Sequence, residues 1–142
     1  MRQFPLLLLT SLLAFATWGA ESVNESRANT VAALHAMVIT PASNALFQAE
    51  STPPSKPGDW GALRASALNL AQSAKRLTSK ELAKDRNAWC KFAQALSTQA
   101  VQAARAAEMK NQEGLVAANG RIVAICEDCH DQYRDGGHGM KR

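Results

Sequence analysis

The segment AICEDCHDQYR places Cys126 and Cys129 three positions apart, with His130 directly after the second thiol. On a helix, residues three apart lie one turn from each other on one face. Both thiols can therefore reach the two vinyl groups of a single porphyrin. His130 stands four residues after Cys126, so its imidazole can rise under the ring to ligate the iron. This is the C-x-x-C-H pattern of covalent c-type haem attachment, for which the expected cofactor is one haem c.

Other chemistries compete for these residues. A structural zinc site requires four ligands, and only Cys90, His35 and His138 are left to complete one, without paired ligand spacing. A thiol–disulfide centre normally sits at a helix N-terminus, where the thiolate is stabilised. Here the pair falls near the end of a helical pattern. A chance occurrence is the remaining alternative.

The elements that must position the motif read as helices almost throughout. A first helical region covers about Val23 to Ala49, with Val31, Leu34, Val38, Ala42, Ala45 and Leu46 as apolar positions. Pro41 should kink or break it, because proline offers no N–H to the carbonyl four residues back. STPPSKPGDW is a loop, with Asp59 able to cap the next helix. That second helix is expected over about Trp60 to Leu77, with Leu63, Ala67, Leu70 and Ala74 on one stripe. TSKELAKDR is a polar connection with room for a helical turn. The third helix is expected over about Arg86 to Met109, with Trp89, Phe92, Leu96, Ala100 and Ala103 inward. The fourth runs from about Asn111 to Arg134 through Leu115, Ala118, Ile122, Ile125 and Cys129. Four amphipathic helices with short connections predict an all-α, antiparallel four-helix bundle with the haem site at its C-terminal end.

The N-terminal stretch MRQFPLLLLTSLLAFATWGA has the layout of a secretory signal peptide: Arg2, an apolar run, then small residues. Cleavage is expected after about residue 16 to 20, leaving one domain over 21–142. The apolar run is short for a membrane span, so no membrane span is expected in the mature chain. Removing the leader lowers the formal charge from +4 to +3. That mild excess, with few and scattered aromatic residues, does not support nucleic-acid binding. Export fits haem attachment outside the cytoplasm and gives the periplasm as the expected location. Three cysteines, an odd number, argue against a disulfide framework. Cys90, beside Trp89, reads as a small residue at the core edge.

A C-terminal C-x-x-C-H on the last of four amphipathic helices resembles the class II c-type cytochromes, the cytochrome c prime family. The continuation DQYR supports the resemblance, since the family often has an aromatic and a basic residue just after the histidine. The resemblance spans nearly the whole mature chain. It implies that Cys126 and Cys129 carry the haem, that His130 is the proximal ligand and that Arg134 lies near the haem or the histidine. Arg134 also reads as a solvated charge at a helix end. HAMVITPASNALF is similar to a low-spin, six-coordinate subgroup whose first helix supplies a methionine as sixth ligand. At that position this chain has His35.

The sixth position separates two functions. His35 is the one strongly polar group in an apolar stretch and shares a face with Val31, Val38, Ala42 and Leu46. Met37 is about 200° further round a regular helix, so the two cannot face one haem unless the helix is distorted near Pro41. A histidine bonded to backbone and a core-filling methionine are the plain alternatives, and an open sixth site is the third. An occupied site implies one-electron transfer with redox partner proteins; an open or displaceable one implies binding of nitric oxide or carbon monoxide, or stress protection. No acid–base pair or activated nucleophile accompanies the motif, so no enzyme is expected. The resemblance also implies a homodimer as one of the forms to look for. Lys75, Arg76, Lys80, Lys84, Arg86 and Lys91 cluster around the second connection, either as a solvated rim or as a weak docking face for an acidic partner.

Overall fold

The computed structural model describes residues 29–134. The leader, the start of the expected first helix at Val23, His138 and the C-terminal tail lie outside the described residues. Among the described residues the chain is all-helical, with four helices and no strand.

The first helix starts at Thr30, whose side chain accepts the Ala33 N–H at 3.1 Å. It then passes through three segments without leaving helical geometry: α-helical Val31–Leu34, π-helical His35–Ile39 and α-helical Thr40–Ser51. The break expected at Pro41 is thus a widened turn immediately upstream of it. In a regular helix the Pro41 ring would crowd the carbonyl of Met37 and give it no N–H. Here the Thr40 N–H bonds the carbonyl of His35, five residues back, which opens the turn. The buried positions follow suit: Leu34 and Ile39 are five apart, and Val38, expected inside, is only half-buried.

The second helix is Pro57–Arg76, three residues longer at its start than expected. Proline suits the first helical turn because its missing N–H has no partner there. Asp59 sits inside that turn and reaches back, accepting from the N–H groups of Ser55 and Lys56 at 3.2 and 3.0 Å. The third helix is Ala88–Glu108 and the fourth Gln112–Tyr133. The connection between second and third helices holds hydrogen-bonded turns, among them Ser79 N–H to Arg76 carbonyl and Ala83 N–H to Ser79 carbonyl, both at 2.9 Å, and buries Leu82. The tight turn between third and fourth helices has Lys110 at φ 54°. Its N–H bonds Ala107 and that of Asn111 bonds Ala106, a Schellman closure.

Each helix packs on its chain neighbours, and the first also meets the fourth, so the four close around one core. Leu34, Leu46, Leu70, Leu115 and Ile122 are completely or almost completely buried within it. Side chains also tie helices to backbone carbonyls. Asn119 donates to Leu46 and Gln112 to Ala49, both at 2.8 Å, joining fourth helix to first. Ser97 donates to Ala71 at 3.0 Å, joining third to second.

Candidate functional site

The last turns of the fourth helix bring Cys126, Cys129 and His130 into the lining of one cavity of about 470 Å³, within the size range of ligand sites. All three are half-buried and both thiols are free. Opposite them the first helix contributes Val31 and His35. The third supplies Trp89, Phe92 and Leu96, and the preceding connection supplies Leu77 and Lys84. Tyr133 and the exposed Arg134, which ends the fourth helix, complete the rim.

His35 is anchored by one ring nitrogen. Its Nδ1 lies 3.0 Å from the Val31 carbonyl. A carbonyl only accepts, so Nδ1 carries a hydrogen and Nε2 is the ring nitrogen left to meet another partner. Metal-binding histidines are oriented by such a carbonyl on one ring nitrogen, and the same bond is the backbone-bonded histidine expected as the plain alternative. The ring centroids of His35 and His130 are 5.9 Å apart and tilted by 45°. Two imidazoles bound to one metal on opposite sides, with bonds of about 2 Å, hold their centroids about 6 Å apart. The same spacing also suits a plain tilted ring pair. The second ring nitrogen of His35 and the two thiols in the shared cavity are compatible with haem, as is the spacing.

Electrostatics act in the same direction. Burial lowers the pKa of His130, assisted by the charges of Arg134 and His35 and opposed by Asp131. The ring therefore stays neutral near pH 7, the state that ligates metals. Burial raises the pKa of Cys126, with further contributions from Cys129 and Glu127, and burial alone raises that of Cys129. Both remain thiols at neutral pH. A redox-active dithiol needs the opposite shift. Among the described residues, no group of three or more His, Cys, Asp or Glu side chains is placed to hold a metal ion. The fold offers two facing imidazoles instead.

Tyr133 gives the site a rigid flank. Its ring meets Trp89 edge-on at 5.1 Å and Phe92 at 6.4 Å, and its hydroxyl donates to Asp85. Its pKa is pushed up to about 12 by burial and by that carboxylate. Asp85 also accepts from the N–H groups of Asn87 and Trp89 at 2.7 and 3.3 Å, fixing the start of the third helix. The Trp89 indole N–H donates to the Leu77 carbonyl at 2.7 Å. None of these bonds can be read from the sequence. The nearest signals are the aromatic in DQYR and the tryptophan opening the third helix.

Met37 is 38% exposed and outside the cavity lining. Cys90 packs half-buried against the core, and its thiol donates to the Asp85 carbonyl at 3.4 Å. No helix among the described residues is long and apolar enough to cross a membrane. No protein-family model, no curated protein and no solved structure matches the chain.

Proposed function

We propose that this chain is an exported c-type cytochrome of the kind the class II resemblance implies, a one-electron carrier working in the periplasm. The reading includes the antiparallel order of the four helices, which the short connections at 52–56, 77–87 and 109–111 favour. The observation that carries it is the pair of imidazoles 5.9 Å apart across the cavity lined by both motif cysteines.

In this reading Cys126 and Cys129 hold the cofactor. Each thiol would add across one vinyl group, its sulfur to one carbon and its hydrogen to the other. His130 and His35 would hold its iron, with the Val31 carbonyl fixing the His35 ring. Haem supplies a reversible ferric/ferrous couple when bound. A second histidine in place of methionine sets its potential lower. Trp89, Phe92, Leu96 and Tyr133 give the cavity an apolar wall, and Arg134 stands near its rim as a positive charge.

Binding of nitric oxide or carbon monoxide is the second reading. The observation favouring it is the π segment that carries His35, since a widened turn has a second hydrogen-bond register through which a ligand can leave.

Purified protein tests the main reading directly. Acid–acetone extraction should leave haem on the polypeptide, and Cys126→Ser or Cys129→Ser should sharply lower the haem-bound yield. Haem that washes out of the unmodified protein refutes covalent attachment. A low-spin spectrum supports two axial histidines, whereas a high-spin one moves the gas-binding reading ahead.

A further inference from the structure

The charge of the chain is distributed unevenly. It has 16 Lys and Arg against 12 Asp and Glu. Six of the basic residues (Lys75, Arg76, Lys80, Lys84, Arg86, Lys91) and two of the acidic ones (Glu81, Asp85) fall between positions 75 and 91. Ten of each remain elsewhere, so this stretch carries the whole formal net charge of +4.

The fold sets the stretch against the cavity, because Leu77, Lys84 and Trp89 from it form part of the lining. Lys75, Lys80, Lys84, Arg86 and Lys91 are all exposed. The two acids are engaged locally: Glu81 with Ser79 and its own backbone, Asp85 with Tyr133, Asn87 and Trp89. The exposed large apolar side chains among the described residues, Met37, Met109, Val116 and Val123, all lie outside it. A membrane-surface segment would need such an apolar face. A single-stranded nucleic-acid site would also present exposed aromatic rings for base stacking, yet the tryptophan here, Trp89, is buried.

We infer that the connection between the second and third helices is a docking surface for an acidic protein partner, brought beside the edge of the cavity. Its role in electron exchange rests on the haem reading, but the docking charge does not. A concentrated patch beside the site steers anionic partners and raises association rates by about 10–1,000-fold at low salt.

The test reverses charge at three residues that do not line the cavity, in the full chain: Lys80→Glu, Arg86→Glu and Lys91→Glu together, with helicity checked by circular dichroism. For haem-loaded protein, oxidation by hexacyanoferrate(III), an anion, should slow as salt is raised. The triple variant should be at least about tenfold slower at low salt. With a cationic cobalt(III) tris-phenanthroline oxidant the order should reverse. Independently of haem, an octaglutamate peptide should shift amide resonances within 75–91 of the unmodified chain and leave the variant unmoved. Protein without haem would defeat the proposed function, while the peptide arm still decides the surface. Equal salt dependence and equal peptide shifts in both proteins overturn the inference. So does binding to phosphatidylglycerol vesicles without binding to the peptide, which would make the partner a membrane.

Discussion

Trp89→Phe removes one donor from a closed corner of the molecule. The indole N–H donates to the Leu77 carbonyl at 2.7 Å, and the two residues are 4% and 6% exposed. Leu77 caps the second helix, where carbonyls have no intrahelical partner, and among the described residues no turn or cap N–H reaches its oxygen. Phenylalanine would leave that acceptor buried and unmade, at a cost of about 1–3 kcal/mol. The smaller ring adds roughly 1–2 kcal/mol for lost packing. The expected loss is therefore about 2–5 kcal/mol. At roughly 4 °C per kcal/mol for a domain of this size, the midpoint should fall by roughly 8–20 °C. Urea unfolding followed by far-ultraviolet circular dichroism measures it without relying on tryptophan fluorescence. Trp60→Phe, at a half-buried position, is the size control and should lose clearly less. Trp89 also meets Tyr133 edge-on, so amide exchange near Tyr133 should quicken. A loss below about 0.5 kcal/mol would mean that water or a rearranged N–H satisfies Leu77, refuting the closed corner.

In haem-loaded protein, as proposed, His35→Ala should turn the visible spectrum high-spin and let carbon monoxide bind the reduced iron quickly, while Met37→Ala should change little; the reverse result would make Met37 the ligand. Lys110→Gly should stabilise the protein by about 0.5–1 kcal/mol in the same urea assay, because a β-carbon at φ 54° is strained and glycine is not. Tyr133 has a folded-state pKa near 12 against an ordinary 10. Between those values the folded state holds the proton that the unfolded state releases, so stability falls as pH rises through that window. Tyr133→Phe should flatten that fall, and an unchanged slope would show that the hydroxyl is not held by Asp85.

The helices are legible because their apolar positions repeat at three and four residues over long spans. Leu63, Ala67, Leu70 and Ala74 are all buried, as are Leu115, Ala118 and Ile122. Ends are less legible: Asp59 reads as the cap, yet Pro57 lets the helix begin before it. The motif cysteines and His130 announce themselves by spacing, and the fold adds that they share a cavity with His35. The Asp85–Tyr133 bond spans 48 positions, a pairing that no local pattern encodes. The three interhelical bonds from Asn119, Gln112 and Ser97 are hidden for the same reason: an isolated polar residue in a helix looks solvated until its facing carbonyl is known.

The π segment joins these levels. Pro41 makes a regular turn unfavourable at Met37. The turn widens over His35–Ile39, and burial moves from Val38 to Ile39. His35 keeps its ring bonded to Val31 at the start of that wide turn, facing His130, while Met37 is left exposed. Periodicity sets His35 and Met37 on opposite sides but leaves open which one faces the motif. A missing N–H four residues after Met37 is thus coupled to the choice of imidazole over thioether beside the motif. Under the proposed haem reading, that choice would separate a lower-potential electron carrier from a methionine-ligated one.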